Sequence, residues 1–77
     1  MKIAIDIGNT SITCGVFEKN KLTVKNNFDS EESFKLYLNN FNHTNINKII
    51  ISSVVPKLTE KYVNFLYSNH INRITII

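Results

Sequence analysis

The run Lys48-Ile49-Ile50-Ile51-Ser52-Ser53 constrains the fold of this chain more than any other segment. Three consecutive β-branched residues between polar ends suit a strand covered on both faces, and such strands are central and parallel. A parallel strand needs crossover connections, and helical patterns stand on either side of the run. Upstream, Phe34, Tyr37, Leu38 and Phe41 recur at i, i+3, i+4 and i+7, and Asp29 with Glu32 has the spacing of a capping box. Downstream, Pro56 suits a first helical turn, and Leu58, Tyr62, Phe65 and Leu66 mark a buried stripe that ends at Asn69-His70.

The N-terminal third has a period of two instead. Lys2 to Ile7 alternates, with Ile3, Ile5 and Ile7 on one face and Ala4 and Asp6 on the other. After Gly8-Asn9-Thr10, Ile12, Cys14 and Val16 alternate with Thr13, Gly15 and Phe17, which predicts a hairpin. Beyond the polar break at Glu18-Lys19-Asn20-Lys21, Leu22, Val24 and Phe28 suggest an exposed edge strand that Lys21 and Lys25 protect from further pairing. An Asn-rich loop separates the first helix from the isoleucine run, and Ile71 to Ile77 reads as a last strand. Three meandering strands followed by two right-handed crossovers predict an α/β domain with a mixed five-stranded sheet of order 3-2-1-4-5. That is the topology of the ribonuclease H-like half-domain, shared by nucleases and by phosphotransferases of the actin and sugar-kinase type.

A chain of 77 residues holds one domain, and its core is small for its surface. The single cysteine, Cys14, cannot close an intrachain disulfide, and Cys14, His43 and His70 match no zinc spacing. The net charge of +3 is spread along the chain, with no basic patch of the kind that binds nucleic acid. Asp6 interrupts the first apolar run before it reaches the length of a signal-peptide core, and no run approaches a membrane span. The expectation is a soluble, cytoplasmic chain with no membrane partner.

The segment Asp6-Ile7-Gly8-Asn9-Thr10-Ser11 falls at the end of the first strand, beside the carboxyl end of the central parallel strand, where ligands of such sheets bind. Gly8 permits close backbone approach, a turn here presents successive amides to an anion, and Asn9, Thr10 and Ser11 add donors. Asp6 is a hard oxygen ligand suited to Mg²⁺, directly or through water. The plainer alternative is a polar hairpin turn, with Gly8 and Asn9 supplying positive φ and Asp6 accepting backbone hydrogen bonds. Ser52 and Ser53 are expected to face the same cleft as Asp6, as substrate-pocket residues or as caps of the next helix. A two-metal nuclease would need carboxylates from the first strand, the first helix and the fourth strand. Asp6 with Glu31 or Glu32 supplies two, but the fourth strand ends in serines. Cys14 reads as a buried strand residue, His43 and His70 as loop residues. Phe34, Tyr37, Phe41, Tyr62, Phe65 and Tyr67 read as core or interface aromatics.

Asp6-Ile7-Gly8-Asn9-Thr10 near the N-terminus, followed by Gly15-Val16-Phe17 and by Ile51-Ser52-Ser53-Val54-Val55-Pro56-Lys57-Leu58-Thr59, resembles the N-terminal part of type III pantothenate kinases. The resemblance covers essentially the whole chain, but the family's chains are much longer and have two ribonuclease H-like halves. It implies that residues 1–77 form the first half-domain only, with the second absent. It further implies that Asp6, Ile7, Gly8, Asn9, Thr10, Ser11, Ile12 and Thr13 form the ATP-phosphate segment, with Asp6 near Mg²⁺. The implied reaction is ATP-dependent phosphorylation of pantothenate, the first step of coenzyme A synthesis, with a monovalent cation such as K⁺ or NH₄⁺ and a homodimeric enzyme. No catalytic residue is expected in this chain, since the family's catalytic carboxylate, its pantothenate motif and its monovalent-cation ligand lie downstream. Ser11 stands where many members have Asn and keeps a donor there. At the strand-to-helix joint, Val54 and Val55 are expected to fill the core while Pro56 starts the helix. The alternative function is a truncated, non-catalytic nucleotide-binding or self-associating module of the same fold.

Overall fold

The computed structural model describes residues 1–41, 45–69, 71 and 73–77. His43, His70 and the middle of the Asn-rich loop lie outside the described residues. Strands β1 (Lys2–Ile7), β2 (Ile12–Glu18) and β3 (Lys21–Phe28) precede helix α1 (Glu31–Asn39). Strand β4 (Lys48–Ser53), helix α2 (Pro56–Ser68) and strand β5 (Ile74–Ile76) follow. The strands form one sheet of order β3-β2-β1-β4-β5, as the sequence predicts. Strand β1 is antiparallel to β2 and parallel to β4, and β4 is parallel to β5.

The order of the strands places the helices. Both crossovers, β3 to β4 and β4 to β5, run in the same direction along the sheet, so the right-handed rule puts α1 and α2 on one face. That face holds the core: Ile3, Ile5 and Ile7, Ile12 and Cys14, and Ile49 and Ile51 pack beneath Phe34, Leu38, Tyr62 and Leu66. Phe28, Phe34 and Tyr62 form a chain of aromatic contacts with centroids 5.7 and 5.2 Å apart. The opposite face carries no helix among the described residues. The isoleucine run is therefore not covered on both sides as expected: Ile49 and Ile51 are buried, while Ile50 between them is only partly so.

Three local features depart from the sequence reading, and the β2–β3 hairpin adds a bulge that it did not address. Helix α1 is capped one residue later than the Asp29–Glu32 pattern implies. Ser30 is the extended N-cap, its hydroxyl accepting the Ser33 amide at 3.2 Å, and Ser33 Oγ donates back to the Ser30 carbonyl. The registers Val16↔Val24 and Phe17↔Leu22 leave Thr23 as an extra residue, and its hydroxyl bonds the Val16 carbonyl at 3.0 Å. This bulge moves Leu22 to the open face while Val24 and Phe28 pair on the helix side, so these three do not share a face. Positive φ falls at Lys19 (53°) and Asn20 (66°), which close the β2–β3 hairpin as a two-residue type I′ turn, and not at Gly8 or Asn9. Strand β5 is shorter than the 71–77 segment, because the Ile71 amide is taken by the Leu66 carbonyl and Ile71 packs in the core.

Candidate functional site

The β1–β2 connection is a loop of Gly8 to Ser11, since Ile7 pairs with Ile12 across the hairpin. The Gly8 amide donates to the Ser11 carbonyl at 2.9 Å and pulls the loop closed from inside. A Cβ at residue 8 would lie 3.3 Å from that carbonyl oxygen, so glycine serves a close approach here and no positive φ is involved. Among the described residues, the amides of Asn9, Thr10 and Ser11 donate to no protein acceptor. Asn9 and Thr10 are exposed and Ser11 is half-buried. The loop thus combines a fixed frame with three unclaimed N–H groups and three polar side chains, the composition of an anion-binding turn.

The eight residues Asp6 to Thr13 do not act on one side of the sheet. Ile7 and Ile12 are buried in the core, and the Ile7 carbonyl is taken by the Val54 amide. Gly8 to Ser11 border a cavity of about 200 Å³ on the helix side, together with Phe28, the start of α1, Leu58 and Tyr62. Asp6 and Thr13 point to the open face, where they help line a cavity of about 410 Å³. Register explains the division, because successive residues of a strand face opposite ways.

On the open face a polar row runs across four strands. Asn27 lies opposite Thr13, Thr13 opposite Asp6, and Asp6 beside Ser52. The Asn27 side-chain amide donates to Thr13 Oγ1 at 3.3 Å. Asp6 is thereby flanked by two hydroxyls at the strand spacing of about 4.8 Å. Ser53 does not share this face. It pairs with Ile7, and its hydroxyl accepts the Val55 amide at 3.0 Å and donates to the Val55 carbonyl at 3.1 Å. Of the two serines expected in the cleft, Ser52 stands beside Asp6 and Ser53 fastens the joint into α2.

Two residues escaped the sequence reading. Asn27 joins the polar row only through the register of a bulged hairpin, which no local pattern reveals. Val54, expected in the core, is 71% exposed. The acidic residues of α1 do not approach Asp6. Glu31 lies on the helix side, paired with Lys35 at 2.7 Å and with Lys61. The hydrogen bonds from Lys35 and then Lys61 hold its carboxyl below the usual range. Among the described residues, the carboxylate set of a two-metal nuclease is not assembled. Burial pushes the Cys14 thiol up to about 11, which keeps it protonated and unsuited to nucleophilic work at neutral pH.

The family model for type III pantothenate kinases matches residues 2–76. The type III pantothenate kinase of Borreliella burgdorferi is 38% identical over 73 residues, which cover 87% of this chain and 28% of the relative. That of Listeria monocytogenes is 42% identical over 69 residues, covering 75% of this chain and 27% of the relative. The chain thus spans little more than a quarter of the length of the curated relatives it matches. With the family model reaching from the first strand to the last and the DIGNT loop, the Ser52 strand end and the Pro56 joint in place, the chain belongs to the type III pantothenate kinase family.

Proposed function

We propose that this chain is the N-terminal, ATP-phosphate-binding part of a pantothenate kinase, which transfers the γ-phosphoryl group of ATP to the 4′-hydroxyl of pantothenate. In this reading residues 1–77 are the first of two ribonuclease H-like half-domains. The observation that carries it is the placement at the carboxyl edge of the sheet: the Gly8–Ser11 loop with three unclaimed amides, bordering the helix-side cavity, and Asp6 beside Ser52 on the adjoining open face. Phosphoryl transfer is mostly positioning and charge neutralisation, and the loop supplies donors for phosphate oxygens. The donor set also fits Mg²⁺, since an exposed carboxylate between the hydroxyls of Thr13 and Ser52 offers hard oxygens with room for waters. An ion held there by Asp6 would neutralise phosphate charge. The catalytic carboxylate and the contacts to pantothenate and to K⁺ or NH₄⁺ belong to the remainder of the enzyme, a cytoplasmic homodimer. The 77 residues alone therefore turn over no pantothenate.

Titration of the ¹⁵N-labelled chain with ATP, with and without Mg²⁺, tests the loop. Selective shifts of the Asp6 to Thr13 amides that Mg²⁺ strengthens are expected. A well-dispersed spectrum in which those amides stay put would count against a phosphate site in this segment, and pantothenate-dependent ADP release from the purified chain would overturn its predicted inactivity. A second reading, a self-associating module, is favoured by the exposed apolar side chains of Leu22, Ile76 and Ile77. Sedimentation at tens of micromolar separates the two, since a clean monomer argues against it.

A further inference from the structure

Tyr62 stands in the core with 2% of its surface exposed, and its ring packs edge-on against Phe34 at 5.2 Å. Packing of that kind asks only for a ring, yet this ring carries a hydroxyl. Among the described residues no protein group donates to that hydroxyl or accepts from it. Leaving a buried hydroxyl without a partner costs stability that phenylalanine would not, so a partner from outside the protein is expected. Burial, and then the nearby Glu31 carboxylate, push the Tyr62 pKa up, which leaves the hydroxyl a proton donor at neutral pH.

The surroundings of Tyr62 lack the same kind of partner. It borders the helix-side cavity of about 200 Å³ together with the Gly8–Ser11 loop, whose Asn9, Thr10 and Ser11 amides are unclaimed. The start of α1 borders it too, and the Glu31 and Glu32 amides, which precede the first intrahelical bond, have no acceptor among the described residues. Three separate elements thus bring unclaimed N–H or O–H groups to one cavity. Its carboxylates are engaged or in water, since Glu31 is held by Lys35 and Lys61 and Asp29 is exposed. What these donors lack is a ligand rich in oxygen acceptors, and helix starts and turns with free amides favour phosphate. A water claims roughly 30 Å³ in the liquid, so the cavity has room for one phosphate group with a few waters and not for a whole nucleotide.

We propose that the helix-side cavity binds a single phosphate group and that the Tyr62 hydroxyl donates a hydrogen bond directly to it. The group is the terminal phosphate of ATP or free inorganic phosphate, which present the same oxygens. This deepens the reading of Gly8–Ser11 as a phosphate loop and rests on it.

Tyr62→Phe removes the hydroxyl and keeps the ring. The ¹⁵N-labelled chain, parent and variant, is titrated with inorganic phosphate and with ATP while the Asn9 to Ser11 and Glu31 amides are followed. In the parent both sets of amides are expected to shift together, and Tyr62→Phe is expected to weaken binding about tenfold or more, the effect of losing a hydrogen bond to a charged group. A loss for ATP assigns the cavity to the terminal phosphate of the nucleotide, and a loss confined to inorganic phosphate assigns it to the free ion. Urea denaturation of the ligand-free chains supplies the second readout. Tyr62→Phe should be at least as stable as the parent, whereas a lower midpoint would mean that the hydroxyl serves a structural bond and would overturn the assignment. Equal affinities of parent and Tyr62→Phe for both ligands would overturn it too, with the loop reading intact. Loop amides that respond to neither ligand in the parent would overturn the loop reading and the pocket together.

Discussion

On one face of the sheet Ile3, Ile5, Ile7, Ile49 and Ile51 lie under two helices with 1% or less of their surface exposed. On the other, Ala4, Asp6, Ile50 and Ser52 alternate with them along the same strands and remain at least partly open. The backbone is shared, so the difference comes from connection handedness alone. Stability is concentrated on the helix side, and the open side is left to carry polar groups that can meet a ligand. A residue moved by one position along a strand changes from one role to the other.

The sharpest way to break that comparison is a matched pair of substitutions at neighbouring positions. Ile51→Thr is expected to cost about 3 kcal/mol or more, through lost burial and a hydroxyl without a partner, while Ile50→Thr costs roughly 1 kcal/mol. Urea denaturation followed by circular dichroism measures both, and equal costs would mean that the two faces are equally covered. Thiol chemistry gives a second contrast. Cys14 should react with a disulfide reagent about 10²-fold more slowly than a cysteine placed by Ser52→Cys in a Cys14→Ser background, since its raised pKa and burial suppress the thiolate.

Asp6→Asn separates function from stability. The stability should move by no more than about 0.5 kcal/mol, because the side chain is exposed, while any Mg²⁺-dependent part of the ATP response is lost. The hairpin turn lies outside both faces and calibrates a purely local effect. Replacing Lys19-Asn20 by Asn-Gly should stabilise the fold by about 1 kcal/mol, because the present residues hold left-handed backbone that Asn-Gly adopts more readily. The smallest effect is expected at Glu31. Its folded pKa is depressed, so its contribution is present above the ordinary carboxylate range and is lost as pH falls through the lowered value. Glu31→Gln should flatten the acid side of the stability profile slightly, and added salt should shrink the difference from the parent.

Local pattern made most of the fold legible. Alternation along Lys2–Ile7 and Ile12–Phe17 identified the core faces of β1 and β2, and helical spacing identified Phe34, Leu38, Tyr62 and Leu66. The loop Gly8–Ser11 was legible as a ligand segment because glycine, small donors and an acidic residue recur there at the end of a strand. The split between Gly8–Ser11 and Asp6–Thr13 was not, since it depends on which cavity each strand face borders. The cap at Ser30 was missed because Asp29 offers the same chemistry one residue earlier, and only the backbone at Ser30 decides between them. Val54 looked like core by composition, yet the hydrogen bond from its amide to Ile7 fixes it outward at the joint.

Periodicity and connection handedness act locally or through few choices, so the strand and helix order, the sheet order and the helix-covered core could be read from the residues alone. Strand pairing in the folded chain is what sets Asn27, Thr13, Asp6 and Ser52 in one row and turns Ser53 away from it. Those placements depend on register across a bulged hairpin and a parallel pair. A shift of one residue there exchanges the faces, and no local propensity records it.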